Sequence, residues 1–299
     1  MQIFVVGSFV VACSVKVARL PRAGESLDAQ DFVSEPGGKG FNLALAAHRL
    51  GASIEGVFAI GDDPFAAVAV SAFEGAGLAT DMLVTRSGST GAGVGFVDQA
   101  GENCLAVNLG ANRLLGAGDV DRARIARADF VMATFESPDA PIAEAFAQAR
   151  SRGIRTLLNP SPSRPIDPRI LADTAILVVN RVEAADLGLD VADAGTAQAL
   201  LRAGPAIVVV TLGEEGAVVF QRDETACRQA AFPVAVIDTI GAGDAFSAGF
   251  AVGLLEGRPV GEALVRAAAC GAITACRFGA FDAFPTKAEL DRFCDAAAG

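Results

Sequence analysis

Runs of apolar residues of strand length alternate with alanine-rich stretches of helical length along almost the whole chain. Residues 2–7 (QIFVVG), 54–60, 128–135 (ADFVMATF), 155–159, 175–180 (AILVVN) and 206–211 (AIVVVT) are apolar without alternation. That pattern suits strands buried on both faces of a parallel sheet. Between and after them, the spacing predicts helices over 41–50, 64–76, 139–152, 194–203, 242–256, 259–276 and 287–297. The order implies an α/β fold, a three-layer sandwich with a mainly parallel central sheet, formed as a single domain over residues 1–299. Two regions break the rhythm. About 12–35 and 92–108, short strand-like pieces (GVGFVD, NCLAV) follow one another with no helix between them. These predict a small antiparallel sheet beside the main body, a β lid or a pairing surface for a second subunit. The proline-rich stretch 160–168 (PSPSRPIDP) reads as a loop.

Composition narrows the function. Hydrophobic residues make up 52% of the chain, spread evenly, enough for a large core. No stretch approaches the ~18 uncharged apolar residues of a membrane span. The N-terminal MQIFVVGSFVVACSVK has no basic residue before its apolar run and reads as a first buried strand rather than a signal peptide. A cytoplasmic protein with no membrane partner is therefore expected. The net charge of −11 argues against a nucleic-acid surface, which needs clustered Lys and Arg. It does not argue against phosphate, because backbone N–H groups and a metal hold phosphates without a basic patch. The six cysteines show no C-x-x-C spacing, and His48, the single histidine, sits among Ala and Leu at helical spacing. Neither suggests a zinc or redox site.

The strongest chemical signal is Asp238-Thr239-Ile240-Gly241-Ala242-Gly243-Asp244-Ala245-Phe246, leading into a helix of small and apolar residues. Glycines before a helix let the backbone approach a ligand closely. The helix start adds unpaired N–H donors and a partial positive charge. Gly241, Ala242 and Gly243 thus form a candidate anion hole for a transferring phosphoryl group. Asp244 follows where a base can take the proton of an attacking hydroxyl. An isolated Gly-Asp would be explained as a tight turn and a helix-start acid; the length of the string favours a site. A second glycine-rich string, Gly37-Gly38-Lys39-Gly40-Phe41-Asn42, also opens a helix, leaving backbone donors, Lys39 and Asn42 to meet a polyhydroxylated ligand. It is not a Walker A loop, since Phe41 stands where Ser or Thr would bind magnesium. No G-x-G-x-x-G follows the first strand, which disfavours a nicotinamide oxidoreductase.

Together the two strings resemble the signatures of the ribokinase-like (PfkB) family of carbohydrate kinases, and the resemblance covers essentially the full chain. It implies a cytoplasmic ATP-dependent kinase that phosphorylates a hydroxyl of a small sugar, with Asp244 as catalytic base. By the same resemblance Gly38, Lys39, Gly40, Asn42 and Glu136 (in FESP) line the sugar pocket. Asn180, Thr211, Gly213, Gly216 and Gly243 border the ATP. Glu183 organises magnesium through water, although Asn180 and Glu183 alone also form a capping box, and 211–216 alone a hairpin turn. A potassium site is implied at Asp238, Ile240, Thr274, Arg277 and Gly279, and a homodimer through the lid strands.

The family pattern fails at two places. Ribokinases carry Asn-x-Asp after the first strand to bind sugar hydroxyls, and here Val10 and Ala12 stand instead. A pocket built for hydroxyls rejects ligands that lack them, and apolar replacements remove that demand. Ribose itself is thereby in doubt; deoxyribose, another pentose or ketose, and a nucleoside stay open. Ala268 lies where the family often has Asn or His near the adenine. A nucleoside or other sugar-derivative kinase on the same scaffold and a catalytically silent sugar-binding regulator are the rival readings. The intact Asp244 and Gly-Ala-Gly turn speak against the latter.

Overall fold

The structure is a computed structural model that describes residues 1–97, 103–222 and 224–298. Part of the second predicted lid segment, 98–102, lies outside the described residues. The strands are β1 (Gln2–Val6), β2 (Val10–Lys16), β3 (Asp31–Gly37), β4 (Ser53–Ile60), β5 (Leu83–Thr85), β6 (Gly91–Val97), β7 (Asn103–Asn108), β8 (Phe130–Thr134), β9 (Arg155–Asn159), β10 (Ile176–Asn180), β11 (Ile207–Thr211), β12 (Ala217–Gln221) and β13 (Cys227–Gln229). The helices are α1 (Lys39–Arg49), α2 (Phe65–Gly75), α3 (Arg122–Ile125), α4 (Asp139–Arg150), α5 (Pro168–Asp173), α6 (Arg181–Asp186), α7 (Ala194–Ala203), α8 (Ala242–Leu255), α9 (Val260–Ala275) and α10 (Lys287–Ala298). No helix among them is long and apolar enough to cross a membrane.

Nine strands form the main sheet in the order β13-β12-β11-β10-β9-β8-β1-β4-β5. It is parallel from β5 to β11 and antiparallel only at β12 and β13. Its strands are apolar on both faces because each face is covered. Ile3 and Val5 of β1 enter the core shared with α1 and α8, while Phe4 and Val6 enter the one shared with α4 and α7. The mainly parallel α/β sandwich expected from the sequence is therefore present. The short helices α3, α5 and α6 fall outside the predicted set; each has too few residues to show a helical period. Asp121, Asp167 and Asn180 cap them with side-chain oxygens. The proline-rich loop ends where Pro168 enters the first turn of α5.

A separate sheet holds β3-β2-β6-β7. The expectation of an antiparallel lid needs correcting at its centre, where β2 and β6 run parallel, Val10 opposite Gly91 through Lys16 opposite Val97. Both leave the main sheet in the same direction, so their pairing cannot reverse; only the outer pairs β2–β3 and β6–β7 are antiparallel.

The strand order reverses beside β1, whose neighbours are β4 on one side and β8 on the other. The carboxyl ends of β1 and β8 thus lie together at a topological switch point, the usual ligand crevice of an open α/β sheet. From β1 the chain continues into Gly7-Ser8-Phe9, and from β8 into Phe135-Glu136.

Candidate active site

Two cavities open at this end of the sheet. One, of about 380 Å³, is lined by residues that include Val10, Ala12, Lys39, Asn42, Glu136 and Asp244. The other, of about 620 Å³, lies among Thr211, Gly213, Gly216, Phe232, Phe246 and Ala268. They share Thr239 and Gly243, so the turn before α8 forms the wall between them.

That turn is built by Asp238, whose carboxylate accepts from the N–H of Ile240 (3.0 Å) and of Gly279 (3.0 Å). Gly241 follows at φ 76°, the left-handed region that favours glycine. A Cβ there would also press on the Phe284 ring at 3.0 Å. In α8 the N–H of Ala242 is taken by the Thr239 carbonyl (3.2 Å). This removes Ala242 from the predicted anion hole as a free donor. The N–H groups of Gly243 and Asp244 have no partner among the described residues. A Cβ on Gly243 would meet nothing within 4 Å. The helix start is open in front of these two donors.

Asp244 is 5% exposed. Its Oδ2 accepts from Asn42 Nδ2 at 2.8 Å, and Lys39 Nζ stands 4.0 Å from Oδ1. Burial pushes its carboxyl above the usual range, opposed by Lys39 and the Asn42 bond and aided by Glu183. Lys39 in turn is raised, chiefly by Asp244. A carboxylate whose proton affinity is raised, facing a cavity, is a candidate general base. The amide of Asn42 must point Nδ2 at the carboxylate, which fixes its orientation. Asn42 Oδ1 is then a buried acceptor with no partner among the described residues, and Asn42 lines the smaller cavity.

Residues 37–42 work differently from the expectation that their backbone donors meet the ligand. The N–H of Lys39 donates to Glu136 Oε2 (2.7 Å), that of Gly40 to Ser8 Oγ (3.0 Å), and that of Phe41 to the Ser8 carbonyl (2.9 Å). A Cβ on Gly40 would lie 2.2 Å from Ser8 N, so glycine is required there by the packing of α1 on the β1–β2 connection. Gly38 caps the helix at φ 98°, close against the same connection. From this segment Gly38, Lys39 and Asn42 line the smaller cavity. Glu136 is 9% exposed, and burial pushes its carboxyl up, against the Ser8 bond first and the Lys39 N–H next.

Of the residues expected to border ATP, Thr211, Gly213 and Gly216 line the larger cavity, whereas Asn180 and Glu183 line neither. Their side chains close the capping box of α6, Asn180 Oδ1 accepting from Glu183 N and Glu183 Oε2 from Asn180 N, both at 2.9 Å. The apolar wall of Ala231, Phe232, Val234 and Val236 carries no sequence signal, because it lies in a segment without helix, strand or periodicity. Of the potassium set, Asp238 and Gly279 are in contact, as above. Thr274 is buried and donates its hydroxyl to the Cys270 carbonyl (2.9 Å), and the guanidinium of Arg277 pairs with Glu289 at 2.5 Å. The cationic guanidinium leaves Arg277 only its carbonyl for a cation, whereas Thr274 Oγ1 keeps its lone pairs.

The chain is similar to known proteins over its length. It is 32% identical over 292 residues to the ribokinase of Bacillus subtilis (strain 168), covering 97% of this chain and 98% of the relative. It is 30% identical over 303 residues to the deoxyribokinase of Salmonella typhimurium, covering 98% of each. Among solved structures, the Arabidopsis thaliana ribokinase complexed with ribose and ATP superposes with a TM-score of 0.90 at 27% identity, covering 98% of each chain. The Thermotoga maritima ribokinase gives 0.88 at 28%, covering 98% of this chain and 99% of that one. The family model that matches is the pfkB family carbohydrate kinase, over residues 1–287. With that match and these relatives behind the open α8 turn and its buried Asp244, the chain belongs to the pfkB family of carbohydrate kinases.

Proposed function

We propose that this kinase transfers the γ-phosphoryl group of ATP to a hydroxyl of a small sugar that presents an apolar edge to the lid. The observation that carries the reading is the pair of cavities meeting at Gly243, with Asp244 on the acceptor side. ATP lies in the larger cavity with its terminal phosphate at the free N–H groups of Gly243 and Asp244. The sugar lies in the smaller one, beside Lys39, Asn42 and Glu136. Asp244 takes the proton of the attacking hydroxyl, and the two N–H groups balance the charge that develops on the phosphoryl oxygens.

The acceptor cavity has two unlike walls. One is polar, from Lys39, Asn42, Glu136 and Asp244, and its unpaired Asn42 Oδ1 suits a sugar hydroxyl as donor. The other comes from the lid: Val10, Ala12, Gly93 and Val107, which the register puts on one face. No side chain there satisfies a hydroxyl, so a deoxygenated or alkyl-bearing edge is favoured over ribose. Buried Glu183 fits magnesium only through water, the manner in which this ion commonly binds, and the metal would supply charge neutralisation on the phosphates. The Asp238 carboxylate with the carbonyls of Ile240 and Gly279 suits potassium, which would stiffen the turn.

The lid's other face exposes Phe32 (62%) and Val94 (44%), and we assign it to a second copy of the chain. Light scattering over a concentration series tests that, an unchanging monomer mass being the contrary result. The main test is ATP consumption over a panel of ribose, deoxyribose, other pentoses and ketoses, and nucleosides. Deoxyribose or another acceptor with an apolar edge should exceed ribose in kcat/KM, and ribose leading the panel would overturn the acceptor assignment. The same assay in sodium in place of potassium should run slower; an equal rate removes the potassium site.

A further inference from the structure

We propose that Ser8 is a positioning residue that locks the Glu136 carboxylate and the first turn of α1 into one arrangement around the acceptor. This rests on the reading that Glu136 meets the sugar. Ser8 is fully buried between β1 and β2, in the crevice where the strand order reverses. Its Oγ accepts from Gly40 N–H at 3.0 Å, so its single proton is free to go to Glu136 Oε2, 2.6 Å away. Its carbonyl accepts from Phe41 N–H. Lys39 N–H reaches the same Oε2. Both donors to Glu136 thus fall on one oxygen. That fixes the rotation of the carboxylate and leaves Oε1 with no hydrogen bond from the described residues, as the atom available to a ligand on the cavity wall. Lys39 and Asn42, which flank Asp244, sit on the turn that Ser8 holds.

Loss of the hydroxyl would leave Gly40 N–H buried without a partner and Glu136 with one donor in place of two. Because Glu136 would contact the sugar alike in the ground and transition states, the effect falls on KM. For Ser8→Ala the expected loss in kcat/KM for the sugar is roughly ten- to hundredfold, the scale of a hydrogen bond to a charged group. The KM for ATP should stay within about threefold. Glu136 faces Lys39 from α1 and Asp244 from α8. With the Ser8 bond gone its carboxyl rises further, so the acid limb of kcat/KM for the sugar moves to higher pH.

The test is a double-mutant cycle of Ser8→Ala and Glu136→Gln, with D-ribose and 2-deoxy-D-ribose as acceptors and amide hydrogen exchange over residues 39–42. If Ser8 acts through Glu136, the loss on Ser8→Ala shrinks to within about twofold in the Gln background, and exchange at 39–42 quickens. Additive losses with an unmoved pH limb would make Ser8 a plain packing residue and overturn the proposal. An unchanged sugar KM in Glu136→Gln alone would instead remove Glu136 from the acceptor site, and this inference with it, while leaving the kinase assignment standing. Should Ser8→Ala fail to fold, Ser8→Cys keeps the side chain's shape with a weaker donor and carries the same cycle.

Discussion

At the start of α1, Lys39, Gly40 and Phe41 direct their N–H groups at Glu136, the Ser8 hydroxyl and the Ser8 carbonyl. At the start of α8, Gly243 and Asp244 direct theirs at no partner among the described residues. Both helices begin in a glycine-rich string, and from spacing alone both offer a ligand the same thing. The contrast shows that glycine serves two ends at a helix start. At Gly40 it admits a neighbouring strand connection, which fills the space a side chain would need. At Gly243 a side chain would meet nothing within 4 Å. The first start fixes side chains in place; the second leaves two donors open, as the proposed phosphate position requires.

The sharpest way to break this comparison is at Asp244. Asp244→Asn should lower turnover by roughly 10²–10⁴-fold, the usual scale of acid–base catalysis. The melting temperature should hold or rise. Burial raises this carboxyl in the folded state, so the folded protein binds the proton more tightly than the unfolded chain. Stability therefore falls as pH rises from the ordinary carboxylate range through the raised value, and the uncharged amide escapes that loss. Near-wild-type turnover in this variant would remove the base.

Next in size comes a matched pair of glycine variants. Gly243→Ala should fold with an unchanged melting temperature and lose roughly 10–10³-fold in kcat/KM for ATP, because its methyl enters the phosphate space. Gly40→Ala should do the reverse, destabilising the fold by about 1–3 kcal/mol or more through overpacking against Ser8. Denaturant titration and kinetics on both decide it. Equal behaviour of the two would erase the distinction between a filled and an open helix start.

The smallest expected change is in pH dependence. Lys39 holds the Asp244 carboxyl down against burial, so Lys39→Met should move the acid limb of kcat to higher pH. A pH–rate profile with an unmoved limb would show that Lys39 acts on the ligand alone.

The sequence alone determined the layered fold, because strands buried on both faces must be apolar throughout and the helices between them must be long enough to cross back over the sheet. It also set out the 238–246 string, whose glycines and acid carry meaning locally. Sequence could not tell that the middle of the lid is parallel, since register between β2 and β6 depends on how two distant strands leave the main sheet. Nor could it tell that Ala242 N–H is spent within its own turn, or that Phe232 and Val234 wall the larger cavity. Ser8 shows no motif at all; its partners are 32 and 128 residues away. Which backbone donors are free, and which side chains face one cavity, is decided only when remote segments pack together. A hydrogen-bond partner is a matter of distance in space, and spacing along the chain fixes that only within a helix turn or a strand pair.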